Sequence, residues 1–406
     1  MNTLASNLSK ILLFFFSITL ALGTWNPFVP FQYEIGGGNG YDLSQIVSVL
    51  FIVSLLFGLN VHISTKNKLL ITSSLFFLSV LLSAIINGVS VITTSTVIFF
   101  VKLTLVLLLC HLLSQLFTRS PKLIYLSAFI FSIVCVILAV GYSYGYLDQF
   151  LLVSKGRVFF WGENPNSTSA RYGIAFLFIL HFIIKNPLGF SKWRHILWLA
   201  LPSILNLIMA TGSRGSFLIL LVSILIYLVY IPFRSKGYKL LLTFFFPIAL
   251  YFSIGYIARS NQEYSLFERL SESVEEGKDA GRKELNEEAI QIFLDNPLSG
   301  IGVQNFQNEM ITKFNEDRTV HNLYLYVLAI SGIVGFTCFV FFLYYLVRGS
   351  YAIRRYSSLP LTLFVYMSLL SYKTGGILTY MLMWYVFSII IALSIIYKPD
   401  RHEQAI

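Results

Sequence analysis

Charged residues are scarce in this chain. Only 12% of the 406 residues are Asp, Glu, Lys or Arg, against about 25% in an average soluble domain. Hydrophobic residues make up 56%, and the mean hydropathy is +0.74. This composition excludes an ordinary soluble domain and is typical of a polytopic membrane protein. The net charge of +10 is spread over loops between apolar runs, so it predicts orientation in a membrane and no nucleic-acid partner.

Patterns that hold metals, nucleotides or acyl groups are also missing. Cys110, Cys135 and Cys338 lie inside apolar runs, without the spacing of disulfides or metal ligands. The sequence has no Asp-x-Asp and no His-x-x-x-His. It also has no nucleotide-binding loop and no Gly-x-Ser-x-Gly elbow. We therefore expect no metal and no other cofactor, so a reaction draws its free energy from the substrate or from a gradient.

Long apolar runs dominate the chain instead. Twelve of them approach the ~20 residues needed to cross a bilayer as a helix. They cover approximately residues 9–27, 43–61, 69–88, 96–117, 123–143, 171–186, 195–211, 216–232, 239–257, 322–346, 359–374 and 377–397. The sequence thus predicts an all-α polytopic membrane protein with about 12 transmembrane helices, forming one integral domain over residues 1–406.

The loops between these runs are unequal in charge. One side carries 16 of the 29 basic residues and only Asp400 and Glu403 as acids. By the positive-inside rule this side is cytoplasmic and includes both termini. The opposite, outward side has a long polar loop at 258–321, with 13 of the 19 acids. Apolar residues at helical spacing predict two amphipathic helices in this loop, near 266–274 and 282–295.

Four candidate site residues, three arginines and one histidine, lie on the outward side. Arg157 lies in a first outward loop, 144–170, which also contains Glu163, Asn164 and Asn166. The other three side chains are Arg214, Arg282 and His321. The donor fork of arginine suits a phosphate, and several arginines at one depth suit a lipid diphosphate. A histidine with a pKa of about 6.5 can take the proton of an acceptor hydroxyl. The set therefore predicts transfer of a group from a lipid diphosphate.

These residues belong to recognisable motifs. The motifs are Thr211-Gly212-Ser213-Arg214-Gly215, Ala280-Gly281-Arg282, Asn296-Pro297-x-x-Gly300-x-Gly302, and His321-Asn322 followed after nine residues by Gly332-x-x-Gly335. Together they resemble the O-antigen ligase and O-antigen polymerase superfamily (WaaL and Wzy types). The similarity covers about residues 155–345 by motif, and the whole chain by the number of spans and the place of the long loop.

The resemblance implies a GT-C-like fold and a metal-independent, inverting glycosyltransferase of the bacterial inner (plasma) membrane. Its donor is expected to be an undecaprenyl-diphosphate-linked oligosaccharide, and its other partners membrane lipids and a chain-length regulator. Residue by residue, the resemblance implies that Arg214 and Arg282 bind the diphosphate and that His321 activates the acceptor hydroxyl. Arg157 and the Asn164-Pro165-Asn166 stretch look like the first outward loop of the polymerases.

Several assignments have alternatives. Polymerisation of O-antigen or capsule repeats is favoured, with ligation to lipid A-core second and a lipid-linked oligosaccharide transporter third. Glu163, Asn164, Asn166 and Asn322 are expected to contact the glycan, and Glu163 is also an alternative base. Two further cations, Arg171 and Lys373, are expected to anchor their spans at the membrane surface. Gly332 and Gly335 are expected to permit close helix packing.

Overall fold

The computed structural model confirms the all-α class. It describes residues 3–23, 43–58, 68–88, 94–154, 157–160, 163–190, 192–231, 282–314, 320–373 and 378–397. Within these ranges, five helices are long and apolar enough to cross a membrane, and five shorter apolar helices accompany them. The span predicted at 239–257 and the amphipathic helix predicted near 266–274 lie outside the described residues.

Each other apolar run corresponds to a helix. The helices are α1 (Thr3–Leu22), α2 (Leu43–Gly58), α3 (Lys68–Ile86), α4 (Thr94–Arg119), α5 (Lys122–Ser143), α6 (Pro165–Lys185), α7 (Ala200–Ala210), α8 (Arg214–Tyr230), α9 (Arg282–Asp295), α10 (Val303–Phe314), α11 (Leu323–Ala352), α12 (Leu359–Lys373) and α13 (Met381–Ile396). Helix α9 corresponds to the second amphipathic helix predicted in the long loop. Helix α10 was not predicted.

Two helices form the centre of the bundle. Helix α6 is buried at every residue from Thr168 to Ile183, and α13 at every residue from Met381 to Leu393. A helix that is apolar all round is stable only when neighbours surround it. The outer helices α2 and α3 instead expose Phe57 and Ile86, as expected for surfaces that face lipid acyl chains.

A short β-hairpin precedes α6. Strands β1 (Leu151–Ser154) and β2 (Arg157–Phe160) pair antiparallel, with Leu151 opposite Phe160. Burial alternates along β2, where Val158 and Phe160 are buried and Arg157 is half-buried. This two-residue alternation is typical of a strand with one face on a core. The sequence analysis did not predict the hairpin, which fixes where the Arg157 side chain leaves the backbone.

Helix α11 is broken at Gly332, so the run predicted as one span at 322–346 is not a continuous helix. Gly332 has φ 61° and ψ −166°, which is outside the helical region. Tyr324 and Phe339 would be separated by about 22 Å along a straight helix. Their ring centroids are only 6.4 Å apart. The chain therefore bends sharply at Gly332, and the two halves of α11 meet at an angle.

The segment after α9 supplies the hydrogen-bond partners that this break removes. The carbonyls of Ala329 and Ile330 accept from the amides of Ile301 (3.0 Å) and Gly302 (3.1 Å). In return, the Ile333 amide donates to the carbonyl of Pro297 at 2.9 Å. Buried backbone groups need such partners, so the Asn296–Gly302 motif and the Gly332 motif form one structural unit.

Glycine is required where these two segments touch. Both Gly300 (φ 67°) and Gly332 (φ 61°) have left-handed backbones, which side chains disfavour. A β-carbon on Gly332 would lie 2.6 Å from the Gly300 amide nitrogen. A β-carbon on Gly335 would lie 2.8 Å from Ser79 Oγ on α3. The glycines thus permit close approach, and the unit holds α9 beside α11.

Candidate functional site

Arg157 joins the hairpin to the starts of α6 and α8. Its Nε donates to the carbonyl of Thr211 at 2.9 Å, and its Nη2 donates to Asn166 Oδ1 at 3.1 Å. The Ser213 hydroxyl donates to the same amide oxygen at 2.9 Å. Asn166 therefore ties Arg157 to the segment that leads directly into Arg214. Two of the predicted site residues, Arg157 and Asn166, are thus in direct contact.

Arg214 is the first residue of α8. The chain enters this helix through Thr211, Gly212 and Ser213, and Gly212 has φ 62°, a conformation that favours glycine. Arg214 is half-buried. Its position is fixed by the neighbouring Ser213, whose Oγ also lies 3.0 Å from Ser216 Oγ, within hydrogen-bonding distance. The motif therefore presents the arginine beside the Arg157–Asn166 contact.

Glu163 and Arg171 form an ion pair in the bundle interior. Arg171 Nη2 pairs with Glu163 Oε1, and the two side chains are 2% and 5% exposed. The Thr168 hydroxyl donates to Glu163 Oε2 at 3.0 Å. The expectation that Arg171 anchors its span at the membrane surface is therefore wrong. A buried charge requires a partner, and Glu163, also a predicted glycan contact, is that partner.

Asparagines cap the two helices that carry site residues. The Asn164 side chain accepts from the Asn166 amide at 2.9 Å and begins α6. The Asn322 side chain accepts from the amides of Tyr324 (3.0 Å) and Leu325 (3.3 Å) and begins α11. Capping satisfies amides that have no partner within the helix. Both predicted glycan contacts thus have a structural role, and Asn322 is buried.

His321 lies immediately before this cap and near Arg282. Partial burial lowers the pKa of the His321 imidazole below its usual 6.5, and the positive charge of Arg282 lowers this pKa further. Both effects disfavour the protonated form. The imidazole is therefore neutral at pH 7 and able to accept a proton.

Arg282 reaches His321 because α9 packs on α11. Leu285, Ala289 and Ile292 are buried along one face of α9, which contacts α11. On the side of α10, Lys313 pairs with Glu288. Arg282 is the first residue of α9, at the partly positive end of the helix dipole.

The two groups of site residues lie at the same end of the bundle. The Tyr324 hydroxyl, in the first turn of α11, donates to the Ser368 carbonyl near the end of α12 at 3.1 Å. Helix α12 in turn packs along α8. The starts of α6, α8 and α11 and the end of α12 therefore define one region, here called the site end. It holds Arg157 and Asn166 near Arg214, and His321 near Arg282.

Other features of the described residues lie apart from this region. No group of three His, Cys, Asp or Glu side chains in the described ranges is arranged to hold a metal ion. A pocket of about 420 Å³ between α3, α4 and residues 301–305 is lined mainly by apolar side chains. None of the predicted site residues lines it.

The sequence analysis missed the Glu163–Arg171 pair, although a signal for it was present. Arg171 is the seventh residue of α6, and an arginine inside a span faces the bundle interior and pairs more often than not. Glu163 was the nearest carboxylate in sequence. Asn164 and Asn166 lie between the two charged residues in sequence.

Comparison with protein families gives one match. Residues 196–340 match the family model for O-antigen ligase, which confirms the resemblance to the superfamily of ligases and polymerases. The matched region includes Arg214, Arg282 and His321, and it ends before α12. Arg157, Glu163, Asn164 and Asn166 precede it. No curated protein matches the chain.

Proposed function

We propose that this chain, which carries an O-antigen ligase family domain, is a glycosyltransferase that polymerises polysaccharide repeat units on a lipid carrier. The donor is an undecaprenyl-diphosphate-linked glycan, and the acceptor is the end sugar of another lipid-linked repeat. The protein acts at the outward face of the bacterial inner membrane, with both termini cytoplasmic. The observation that supports the proposal is the grouping of four residues at one end of the bundle. There Arg282 is close enough to His321 to lower the pKa of the imidazole, and the same end holds Arg157 and Arg214.

The arginines act on the leaving group. Arg157, Arg214 and Arg282 supply positive charge to the two phosphates, with bidentate hydrogen bonds where the guanidinium fork faces two oxygens. The stabilisation that this positive charge provides increases as the bond to the sugar breaks, because the leaving diphosphate becomes more negative. Three guanidinium groups perform the role that a divalent metal ion has in other diphosphate sites, so the reaction is metal-independent.

His321 acts on the acceptor. Its neutral imidazole takes the proton of the acceptor hydroxyl as the oxygen attacks the anomeric carbon. A bond forms between that oxygen and the anomeric carbon, and the bond from the carbon to the diphosphate oxygen breaks. The electron pair leaves with the lipid diphosphate. Attack from the face opposite the leaving group inverts the anomeric configuration.

The resemblance of the first outward loop to the polymerases supports polymerisation over ligation. Asn166 accepts hydrogen bonds from both Arg157 and Ser213, so the loop that resembles the polymerases is joined to the Arg214 motif. A polymerase would work with a chain-length regulator. The second function is ligation of the glycan to lipid A-core, the activity named in the description of the matching family.

The test is the glycan profile of a host strain that lacks this gene, complemented with wild type, Arg214→Ala or His321→Ala. We expect long polymer with wild type and only single repeats with either variant, at equal protein levels in the membrane. Lys283→Ala is the matched control, because Lys283 is exposed and pairs with Glu287. It should support normal polymer.

Three other outcomes identify other functions. Long polymer that accumulates on the undecaprenyl carrier without reaching lipid A-core would make the protein the ligase. Loss of outward lipid-linked repeats, with no defect in bond formation, would indicate a transporter. Normal chain lengths from both His321→Ala and Arg214→Ala would contradict glycan transfer at this site.

A further inference from the structure

Lys373, the last residue of α12, contacts the Arg214 motif. A β-carbon added at Gly215 would lie 3.5 Å from Lys373 Cγ and 3.6 Å from Lys373 Cδ. The methylene stem of the lysine therefore lies against the first turn of α8. Gly215 directly follows Arg214 in sequence. The side chain of Lys373 is exposed, so its ammonium group is accessible to a ligand.

Two hydrogen bonds fix the helix that carries this lysine. The Tyr366 hydroxyl donates to the carbonyl of Ala170 on α6 at 3.1 Å. The Ser368 carbonyl accepts from Tyr324 at the start of α11. The last two turns of α12 are therefore tied to α6 and to the start of α11. Lys373 is the last residue of this helix, so the packing of α12 holds it next to the start of α8.

The start of α8 and the end of α12 both carry a positively charged residue. Lys373 lies beside the arginine at the start of α8, and no ion pair to Lys373 occurs among the residues that the structure describes. The methylene stem of Lys373 contacts Gly215, the residue that follows Arg214, so two cationic side chains leave the backbone at neighbouring points. Two cations so placed suit an anion with several oxygens, such as a phosphate. The region matched by the family model ends at residue 340, which leaves Lys373 outside the match.

We propose that Lys373 binds a phosphate of the lipid diphosphate together with Arg214. This inference rests on the proposed function, because it names a further residue of the same anion site. A lysine ammonium is a mobile point charge with three donors, so it can follow the phosphate as the bond to the sugar breaks. Loss of a hydrogen bond to a charged group weakens binding by about 10- to 100-fold.

The test is binding of farnesyl diphosphate to the purified full-length protein in lipid nanodiscs, measured by titration. We expect Lys373→Ala to raise the dissociation constant about tenfold or more, and Lys373→Arg to retain most of the affinity. Arg214→Ala should also weaken binding. Lys283→Ala is the matched control, because it removes an exposed lysine beside Arg282 that pairs with Glu287. Its affinity should equal that of wild type.

The outcomes separate this inference from the proposed function. Weak binding by Arg214→Ala but wild-type affinity of Lys373→Ala would overturn the role of Lys373 and leave the anion site intact. Equal weakening by Lys373→Ala and Lys283→Ala would overturn it as a general effect of surface charge. Absence of binding by wild type would overturn both the anion site and this inference.

Discussion

Arginine occurs in two different environments at the site end. Arg171 is 2% exposed and pairs with the Glu163 carboxylate, so its charge is compensated within the bundle. Arg157 donates to two uncharged oxygens, those of Thr211 and Asn166. The charge of Arg282 still reaches His321 and lowers the pKa of that imidazole. The difference separates an arginine whose charge is compensated by a buried carboxylate from an arginine whose charge acts on the candidate base.

The largest effect is expected at the compensated arginine. Arg171→Leu leaves Glu163 buried without its partner, which costs about 3–5 kcal/mol, so we expect little folded protein in the membrane. The double variant Glu163→Gln/Arg171→Gln removes both charges and should restore much of the folded protein. The measurement is the amount of monodisperse protein after extraction in mild detergent.

The Glu163→Gln/Arg171→Gln variant also tests whether Glu163 has a role besides pairing with Arg171. If Glu163 acts only through Arg171, the double variant should polymerise glycan as wild type does for the same amount of protein. Folded but inactive double variant would show that Glu163 contacts the glycan or acts as a base. Full stability of the single Arg171→Leu variant would contradict the structural role of the pair.

The next effect is expected at the break in α11. Gly332→Ala places a β-carbon against the Asn296–Gly302 segment in a left-handed backbone, which we expect to cost about 2–3 kcal/mol. Gly189→Ala is the control, because Gly189 has φ +72° but no atom within 4 Å of the added carbon. A fall in thermal stability for Gly332→Ala well beyond that for Gly189→Ala would measure the contact. Equal falls would show that backbone conformation accounts for the whole effect.

A smaller effect is expected from pH. Burial and Arg282 lower the pKa of His321 from its usual 6.5, and in the proposed mechanism the neutral form is the active one. Activity should therefore be retained at pH 6.5 and fall about tenfold per pH unit only below the lowered pKa. The measurement is kcat/KM for the donor against pH, because this ratio reports the free enzyme.

Arg282 provides the check on this assignment. Arg282→Gln removes a positive charge near His321, so the pKa of the imidazole should rise and the acidic limb should move to higher pH. The variant will be slow, but the position of the limb does not depend on the absolute rate. An unchanged limb would contradict electrostatic contact between the two residues.

The smallest effect is expected at the helix caps. Asn322→Ala removes the cap of α11 and should cost about 1 kcal/mol. Asn322→Ser keeps a capping oxygen, so it should restore the melting temperature. If the serine variant is stable but has lost activity, Asn322 also contacts the glycan. If stability and activity recover together, its role is limited to the cap.

The sequence predicted the helical class and the grouping of site residues because both depend on local patterns. Apolar runs of about bilayer length specify helices, and the basic loops assign their ends to two sides. Such reasoning placed Arg157, Arg214, Arg282 and His321 on one side. The structure adds that Arg157 is linked to Arg214 through Asn166 and Ser213, and that Arg282 acts on His321.

The remaining features depend on contacts between distant segments. Hydropathy does not show that the helix is interrupted at Gly332, because the hydrogen bonds that replace those of the helix are made with residues 297–302, which are distant in sequence. Each strand of the hairpin around Arg157 has only four residues, which is too few for alternating hydrophobicity to identify a strand. Helix α10 does carry a readable pattern, because Val303, Phe306 and Met310 are buried at helical spacing. The place of Lys373 follows only from the packing of α12 on α8.

The most direct test is glycan transfer by the purified protein in proteoliposomes, with lipid-diphosphate-linked repeat units as the only donor and acceptor. Wild type should form glycosidic bonds and release one lipid diphosphate per bond. His321→Ala, equally folded, should be slower by about 10²- to 10⁴-fold, the usual contribution of a general base. Transfer by His321→Ala at the wild-type rate would contradict the central role of this histidine.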